Sequence, residues 1–465
     1  MGIERGVLRR GPGAGESEAR VVRGAPSLRR WLIAASVLLV ATGMAYSLAW
    51  GPVVEHGSYW VTPGDIWGTF RAAHFVGWGD IGDVYDKGTG LVTFPGIAVL
   101  LAPIAILSGH LGLSESLPFY LPHPTAWLVL GPVELLLGAT VFFPLDALAT
   151  NIGARRGQRL AMLAASFVIL WPVVAIWGHP EDAVAMTLSL YALDGALRSR
   201  WRSAGWLFGG AMAVQPLVIV VLPVLLGFAP GRERWKLVAK AIVPVACLCA
   251  LPLEQSWHQT STALLQQPNY PSIDHATPWV ALAPVLSPAR HVLVHRFGEV
   301  TSHGLSGYSA WWSTTTLGKV VAAGPGRLIA IALALALGWW IAHRKPRPET
   351  IVWLAAVALS LRCFFEAVMN PYYLWPPLAV VVVLAATRSW RRFGFVVASG
   401  LLCSVSSYHR AGPWAWYLPV ALLLGMSLLW SRPSRDRAVP QPDAVSAWAA
   451  QASDMSPDPG ILSPV

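Results

Sequence analysis

Charge is scarce in this chain. Only 12% of its 465 residues are Asp, Glu, Lys or Arg, about half the ~25% usual in soluble domains, and that deficit excludes a water-soluble globular protein. Carboxylates are scarcer than cations, 24 against 34, which leaves a formal net charge of +10. Cysteine is nearly absent. The four present, Cys247, Cys249, Cys363 and Cys403, all fall in apolar runs, so neither a disulfide framework nor a thiolate metal site follows and they read as small buried side chains. No internal repeat is evident, which weighs against a transporter built from inverted repeats. Metal-ligand spacing is missing too. Asp80, Asp83 and Asp86 lack the alternation and closing Glu of a calcium loop, so no metal and no cofactor is expected.

What the chain does have is apolar length. Hydrophobic residues make up 55% of it. Runs of about 16 to 25 of them, enough to cross a ~30 Å hydrocarbon core, recur from Trp31 to Trp430. The fold class that follows is all-α, a polytopic membrane helical bundle with about ten to twelve membrane elements. Spans are predicted at 31–50, 125–149, 160–177, 183–197, 237–253, 327–343, 350–369, 372–387, 393–409 and 413–430. The run 31–50 is too long for a signal-peptide core and has no convincing cleavage site, so it reads as a retained first helix. Residues 91–107 read as a re-entrant or interfacial element on the outer face. Residues 204–228, basic at both ends and broken by Gln215-Pro216, read as two half-length helices that dip in and return.

The cations cluster in short loops: Arg29/Arg30, Arg155/Arg156/Arg159, Arg198/Arg200/Arg202, Arg232/Arg234/Lys236, Arg344/Lys345/Arg347, Arg388/Arg391/Arg392 and Arg432/Arg435/Arg437. That is the positive-inside pattern. It places both termini in the cytoplasm, makes a multi-pass protein of the cell membrane, and accounts for the net charge without nucleic acid. The chain then divides into disordered cytoplasmic tails at 1–27 and 432–465, an N-terminal transmembrane module at 28–253 with a first extracytoplasmic loop at 51–90, a long extracytoplasmic loop at 254–326, and C-terminal transmembrane helices at 327–431. The long loop carries His258, Tyr270, Asp274, His275, Trp279, Arg290, His291, His295, Arg296, His303, Trp311 and Trp312. Aromatics at that density disfavour disorder, and a partly ordered lid or binding loop is expected. Trp50, Trp127, Trp177, Trp375, Trp414 and Trp416 are expected in the interfacial aromatic belts. That reading is preferred over sugar stacking for Trp67, Trp78, Trp279, Trp311 and Trp312 as well.

Three places on the outer side hold candidate chemistry. Asp65 opens an amphipathic stretch, Asp65-Ile66-Trp67-Gly68-Thr69-Phe70, where it is either a helix cap or a carboxylate presented at the membrane surface. His179, Glu181 and Asp182 form the turn Trp177-Gly178-His179-Pro180-Glu181-Asp182 between two spans. There the two acids are either ordinary first-turn residues stabilised by the helix dipole or ligands for substrate hydroxyls. Arg362 and Glu366, four apart within a span, share a helix face. Buried charge is costly and is paired or functional, so they neutralise each other or Arg362 contacts an anion. The turn Tyr408-His409-Arg410 and the basic residues of the long loop are alternative anion partners.

The order of these motifs resembles a known family. From Asp65 through Ala72-Ala73, Gly77, Val84-Tyr85 and Phe94-Pro95, then Gly178 to Ala183, Gly205 to Gly209, Gln215-Pro216 and Leu222-Pro223, the chain is similar to integral-membrane glycosyltransferases of the C superfamily. The likeness is to polyprenyl-phosphate-mannose-dependent mannosyltransferases and to GPI-anchor mannosyltransferases. It covers about residues 60–250. Phe94 stands where the family has Tyr, and Gln215 where it usually has Lys. The resemblance implies an enzyme that transfers a hexose, mannose above all, from a polyprenyl-phosphate donor to an extracytoplasmic lipid-linked or glycan acceptor, among membrane lipids. Asp65 is then the general base, and Glu181, Asp182, His179, Arg362 and Gln215 bind substrate. Two other readings compete. One is a transporter or lipid-handling protein without chemistry, which calls for a continuous polar path. The other is an inactive relative kept as an assembly partner.

Overall fold

The computed structural model describes residues 28–48, 63, 65–85, 89, 91, 93–115, 124–269, 271, 275–302, 305–406 and 412–433. The tails, residues 51–62, Trp50, Asp86, Tyr270, Asp274, His303 and Tyr408-His409-Arg410 lie outside them, and so do the expectations placed there.

The helices run in chain order as α1 (Arg29–Leu48), α2 (Ile66–Trp78), α3 (Gly96–His110), α4 (Trp127–Ala139), α5 (Phe142–Asn151), α6 (Arg156–Trp171), α7 (Pro180–Leu197), α8 (Trp201–Val214), α9 (Leu222–Phe228), α10 (Gly231–Gln255), α11 (Trp257–Ser261), α12 (Gly326–Arg344), α13 (Pro348–Phe365), α14 (Trp375–Arg388), α15 (Trp390–Ser406) and α16 (Pro413–Ser431). Proline opens α7, α13 and α16, where its missing N–H costs no intrahelical bond. Among the described residues seven helical stretches are long and apolar enough to span a bilayer: α1, α4–α5 together, α6 with its π-helical end at Pro172–Trp177, α10, α12, α13 and α16. The protein is an all-α, multi-pass membrane bundle.

The expected spans at 183–197 and 372–387 are helices of a different kind. In α7, 13 of 18 residues are buried, and in α14, 11 of 14. A helix covered on all sides is a core helix, so these two are wrapped by the bundle. By contrast α10 buries only Leu237, Ala241, Cys249 and Pro252 along 25 residues and turns Trp235, Ile242, Val243 and Leu251 outward. The span expected at 393–409 is α15, 17 residues long. Residues 91–107 become α3, whose 15 residues reach only about 22 Å, too short to cross. Gly96 lets α3 start hard against α8, since a Cβ there would lie 2.4 Å from the Ala213 carbonyl oxygen. Residues 204–228 break at Gln215, as the proline predicts. The extended Gln215 joins α8 to a 3-10 stretch, Pro216–Val221, and α9.

Among the described residues six strands pair antiparallel, five of them in the long loop: β1 (His275–Ala276) with β6 (Val368–Met369), β2 (Val285–Ser287) with β5 (Val320–Val321), and β3 (Arg290–Ser302) with β4 (Leu305–Leu317) as a ribbon. The β1–β6 pair, a hydrogen bond from the Thr277 hydroxyl to the Glu366 carbonyl (2.5 Å) and one from Trp279 Nε1 to the Phe364 carbonyl (2.8 Å) tie the loop to the end of α13.

The tryptophans depart from the belt expectation. Trp127, Trp375 and Trp416 are buried, because α4, α14 and α16 pack them inward. Trp67 is buried against Phe70 and Trp127. Trp414 and Trp78 stay exposed.

Candidate functional site

Asp65 precedes α2, and its N–H donates to the Trp177 carbonyl (3.3 Å). This pairing needs Gly178. Its φ of +79° is a left-handed conformation that side chains disfavour, and a Cβ there would lie 2.5 Å from Pro63 Cβ and 3.1 Å from Ile66 Cβ. The tight turn sets the next residue, His179, between two carboxylates. Its Nε2 lies 3.0 Å from Asp65 Oδ2 and its Nδ1 2.6 Å from Glu181 Oε1. Burial alone would lower the pKa of His179, but Glu181 first, and then Asp65, hold it well above its ordinary value. An imidazolium therefore bridges the two acids and donates to both. Asp65 itself is half exposed, at 52%, against 13% for His179. The base candidate meets the outside while its support is enclosed.

The other predicted residues join the same cluster. Asp182 Oδ1 accepts from Gln215 Nε2 (2.7 Å), and Thr93 reaches both the Gln215 side chain (3.4 Å) and the Val214 carbonyl (2.8 Å). The break at Gln215 thus has a local purpose, since it turns a polar side chain toward the start of α7. Tyr372 stacks on His179 (centroids 3.9 Å apart) and meets Tyr373 edge-on (4.9 Å). Asn370 Nδ2 donates to the Tyr372 hydroxyl (2.9 Å). The Arg362 guanidinium lies 3.1 Å from the Tyr373 ring centroid, and Asp182 feels its charge. Asp65, His179, Glu181, Asp182, Gln215 and Arg362, scattered over three hundred positions, form one continuous network.

Arg362 and Glu366 pair at 3.2 Å, as the four-residue spacing predicts. Glu366 sits just past the end of α13 in extended backbone and accepts from a second cation as well, Arg327 of α12, at 3.2 Å. Two guanidiniums share one carboxylate. The pairing expected from the spacing is present, and Glu366 divides it between Arg362 and Arg327. Arg327 carried a sequence signal of its own, a cation at the end of the run 327–343 opposite the basic cluster Arg344/Lys345/Arg347.

These arginines line part of an apolar cavity of about 300 Å³. Phe94, Met212, Leu217, Val220, Val245 and Leu264 contribute to its walls, and Arg327, Arg362 and Glu366 line it as well. Ile219, Ile242 and Ile331, also on its wall, are strongly exposed. The cavity is therefore a groove open toward the lipid-facing surface between the 3-10 stretch, α10 and α12.

Several sequence candidates lie elsewhere. Trp279 is engaged with Phe364 and Phe365, and His275 stacks on Trp416 at 3.9 Å. Arg290, His291, His295, Arg296, Trp311 and Trp312 lie on the β3–β4 ribbon. Among the described residues no cluster of His, Cys, Asp or Glu has the arrangement to hold a metal ion.

No protein-family model matches the chain, and no curated protein sequence does.

Proposed function

We propose that this protein is a membrane glycosyltransferase, moving a hexose, most plausibly mannose, from a polyprenyl-phosphate donor to a lipid-linked or glycan acceptor on the extracytoplasmic side of the cell membrane. The observation that carries the reading is the run of contacts that links a half-exposed carboxylate, Asp65, through His179, Tyr372 and Tyr373 to Arg362, which with Arg327 lines a lipid-accessible apolar groove. A polyprenyl chain suits such a groove, since apolar surface leaves water at about 25 cal/mol per Å². A phosphate suits Arg362 and Arg327, whose planar forks match its oxygens.

The chemistry divides among named residues. The acceptor hydroxyl oxygen attacks the anomeric carbon as the bond from that carbon to the phosphate oxygen breaks. The electron pair leaves with the phosphate, whose charge Arg362 and Arg327 stabilise. The hydroxyl proton passes to Asp65. His179 holds Asp65 Oδ2 at 3.0 Å, which keeps the carboxylate oriented and leaves its other oxygen for the acceptor. Glu181 anchors His179 in turn. The first turn of α7 contributes its dipole to the site.

The test is transfer of radiolabelled mannose from polyprenyl-phosphate-mannose into membrane lipid or glycan, comparing wild type with Asp65→Ala at matched expression. Transfer by the first and none by the second is expected. Equal transfer by both would remove Asp65 from the mechanism, and none by either would remove the mannosyl donor.

A further inference from the structure

The mechanism does not use Glu134. Glu134 lies in α4, within a membrane-spanning stretch, and is 0% exposed. Neither of its oxygens has a hydrogen-bond partner among the described residues. The groups that act on it electrostatically are Glu181 and His179. Beyond them the site holds Asp65, Asp182, Arg362 and the Tyr372 ring. Glu181 has the matching vacancy. Its Oε1 takes the His179 N–H at 2.6 Å, while its Oε2 is buried with no partner among the described residues.

Two neighbouring carboxyls in a low-dielectric interior do not both ionise. The proton belongs on the one without a cation beside it. Glu181 has the imidazolium beside it. Among the described residues Glu134 forms no ion pair, and a buried carboxyl that keeps its proton gains a donor. The orphan acceptor within its electrostatic reach is Glu181 Oε2.

We infer that Glu134 is a positioning residue, carried as the neutral acid and donating a hydrogen bond to Glu181 Oε2, so that Glu181 is fixed where it holds His179 on Asp65. The location of the proton does not depend on the proposed function; its effect on transfer rests on that reading. Without this donor, Glu181 Oε2 is left unsatisfied, its hold on His179 weakens, and the imidazolium gives up its proton at lower pH.

The experiment uses the full chain in liposomes, as wild type, Glu134→Gln and Glu134→Leu. Infrared difference spectra, wild type minus Glu134→Gln at neutral pH, report the carbonyl stretch of a protonated carboxylic acid. That band is expected, and a spectrum without it overturns the proposal whether or not any variant transfers sugar. The second readout is the pH profile of mannosyl transfer. Glutamine still donates to Glu181, so the alkaline limb stays in place. Leucine does not, and the limb moves about one unit toward lower pH. Equal displacement in both variants, or in neither, overturns the positioning role. A wild type that shows the band but transfers nothing upholds the proton's location and overturns the proposed function instead.

Discussion

Two polar clusters occupy opposite ends of the same core helices, and they are built differently. At the basic end every carboxylate has a strong partner. Arg159 donates twice to Asp146 (2.6 and 2.5 Å), Asn151 and Arg198 hold Asp194, and Arg388 holds Glu349. At the other end carboxyl oxygens are left over: both of Glu134, Oε2 of Glu181 and Oδ2 of Asp182 lack partners among the described residues, while Arg327 and Arg362 crowd onto one Glu366. Saturated pairs fasten helices. Unused hydrogen-bonding capacity in a buried place costs stability and is retained where something else is to be bound.

That contrast is breakable by substitution. Asp65→Asn should reduce transfer by about 10² to 10⁴, the usual share of a general base, while unfolding in detergent shifts by less than about 0.5 kcal/mol because the side chain is half exposed. Asp146→Asn should do the reverse. It leaves Arg159, 4% exposed, without its counter-charge and should cost about 3–5 kcal/mol, with transfer per folded molecule unchanged. A large stability loss in the first or a large activity loss in the second would erase the distinction. Gly178→Ala should touch both properties. The left-handed turn costs about 1–2 kcal/mol with a side chain, and displacement of Pro63 and Ile66 should pull Asp65 off His179 and lower transfer.

The smallest effect is in pH. His179 has a raised folded pKa. Its contribution to stability is therefore complete below its unfolded value near ~6.5 and is lost as pH rises through the folded value, at about 1.4 kcal/mol per unit of elevation. Denaturation scans across that range should show the loss in wild type and a flatter curve in His179→Gln. Identical curves would mean that the imidazolium bridge does not form.

Much of this was readable before any coordinates. Apolar run length made the bundle legible, the proline at 216 its broken element, and the polar motifs between and within the spans the six residues that prove to share one network. What escaped has physical reasons. Hydropathy measures how apolar a helix is and says nothing of what covers it, so α7 and α14 read as spans like the rest and Trp127, Trp375 and Trp416 as belt residues. Tyr372 and Tyr373, which link His179 to Arg362, carry no charge or motif to single them out. Glu134 did carry a signal, a lone carboxylate inside an apolar run, of the kind that marks function in membranes.

The shortness of α14 has its own consequence. Fourteen residues rise about 21 Å against a hydrocarbon thickness of ~30 Å. Its last residue, Arg388, is fixed by Glu349 at the start of α13, so about 9 Å of that thickness is left to whatever precedes α14. Neighbouring helices wall it in, and lipid cannot thin to meet it. The 3-10 turn Pro371–Leu374, which runs straight into α14, takes up the difference. Because that turn carries Tyr372, a short core helix is what sets an aromatic ring against His179 inside the bundle.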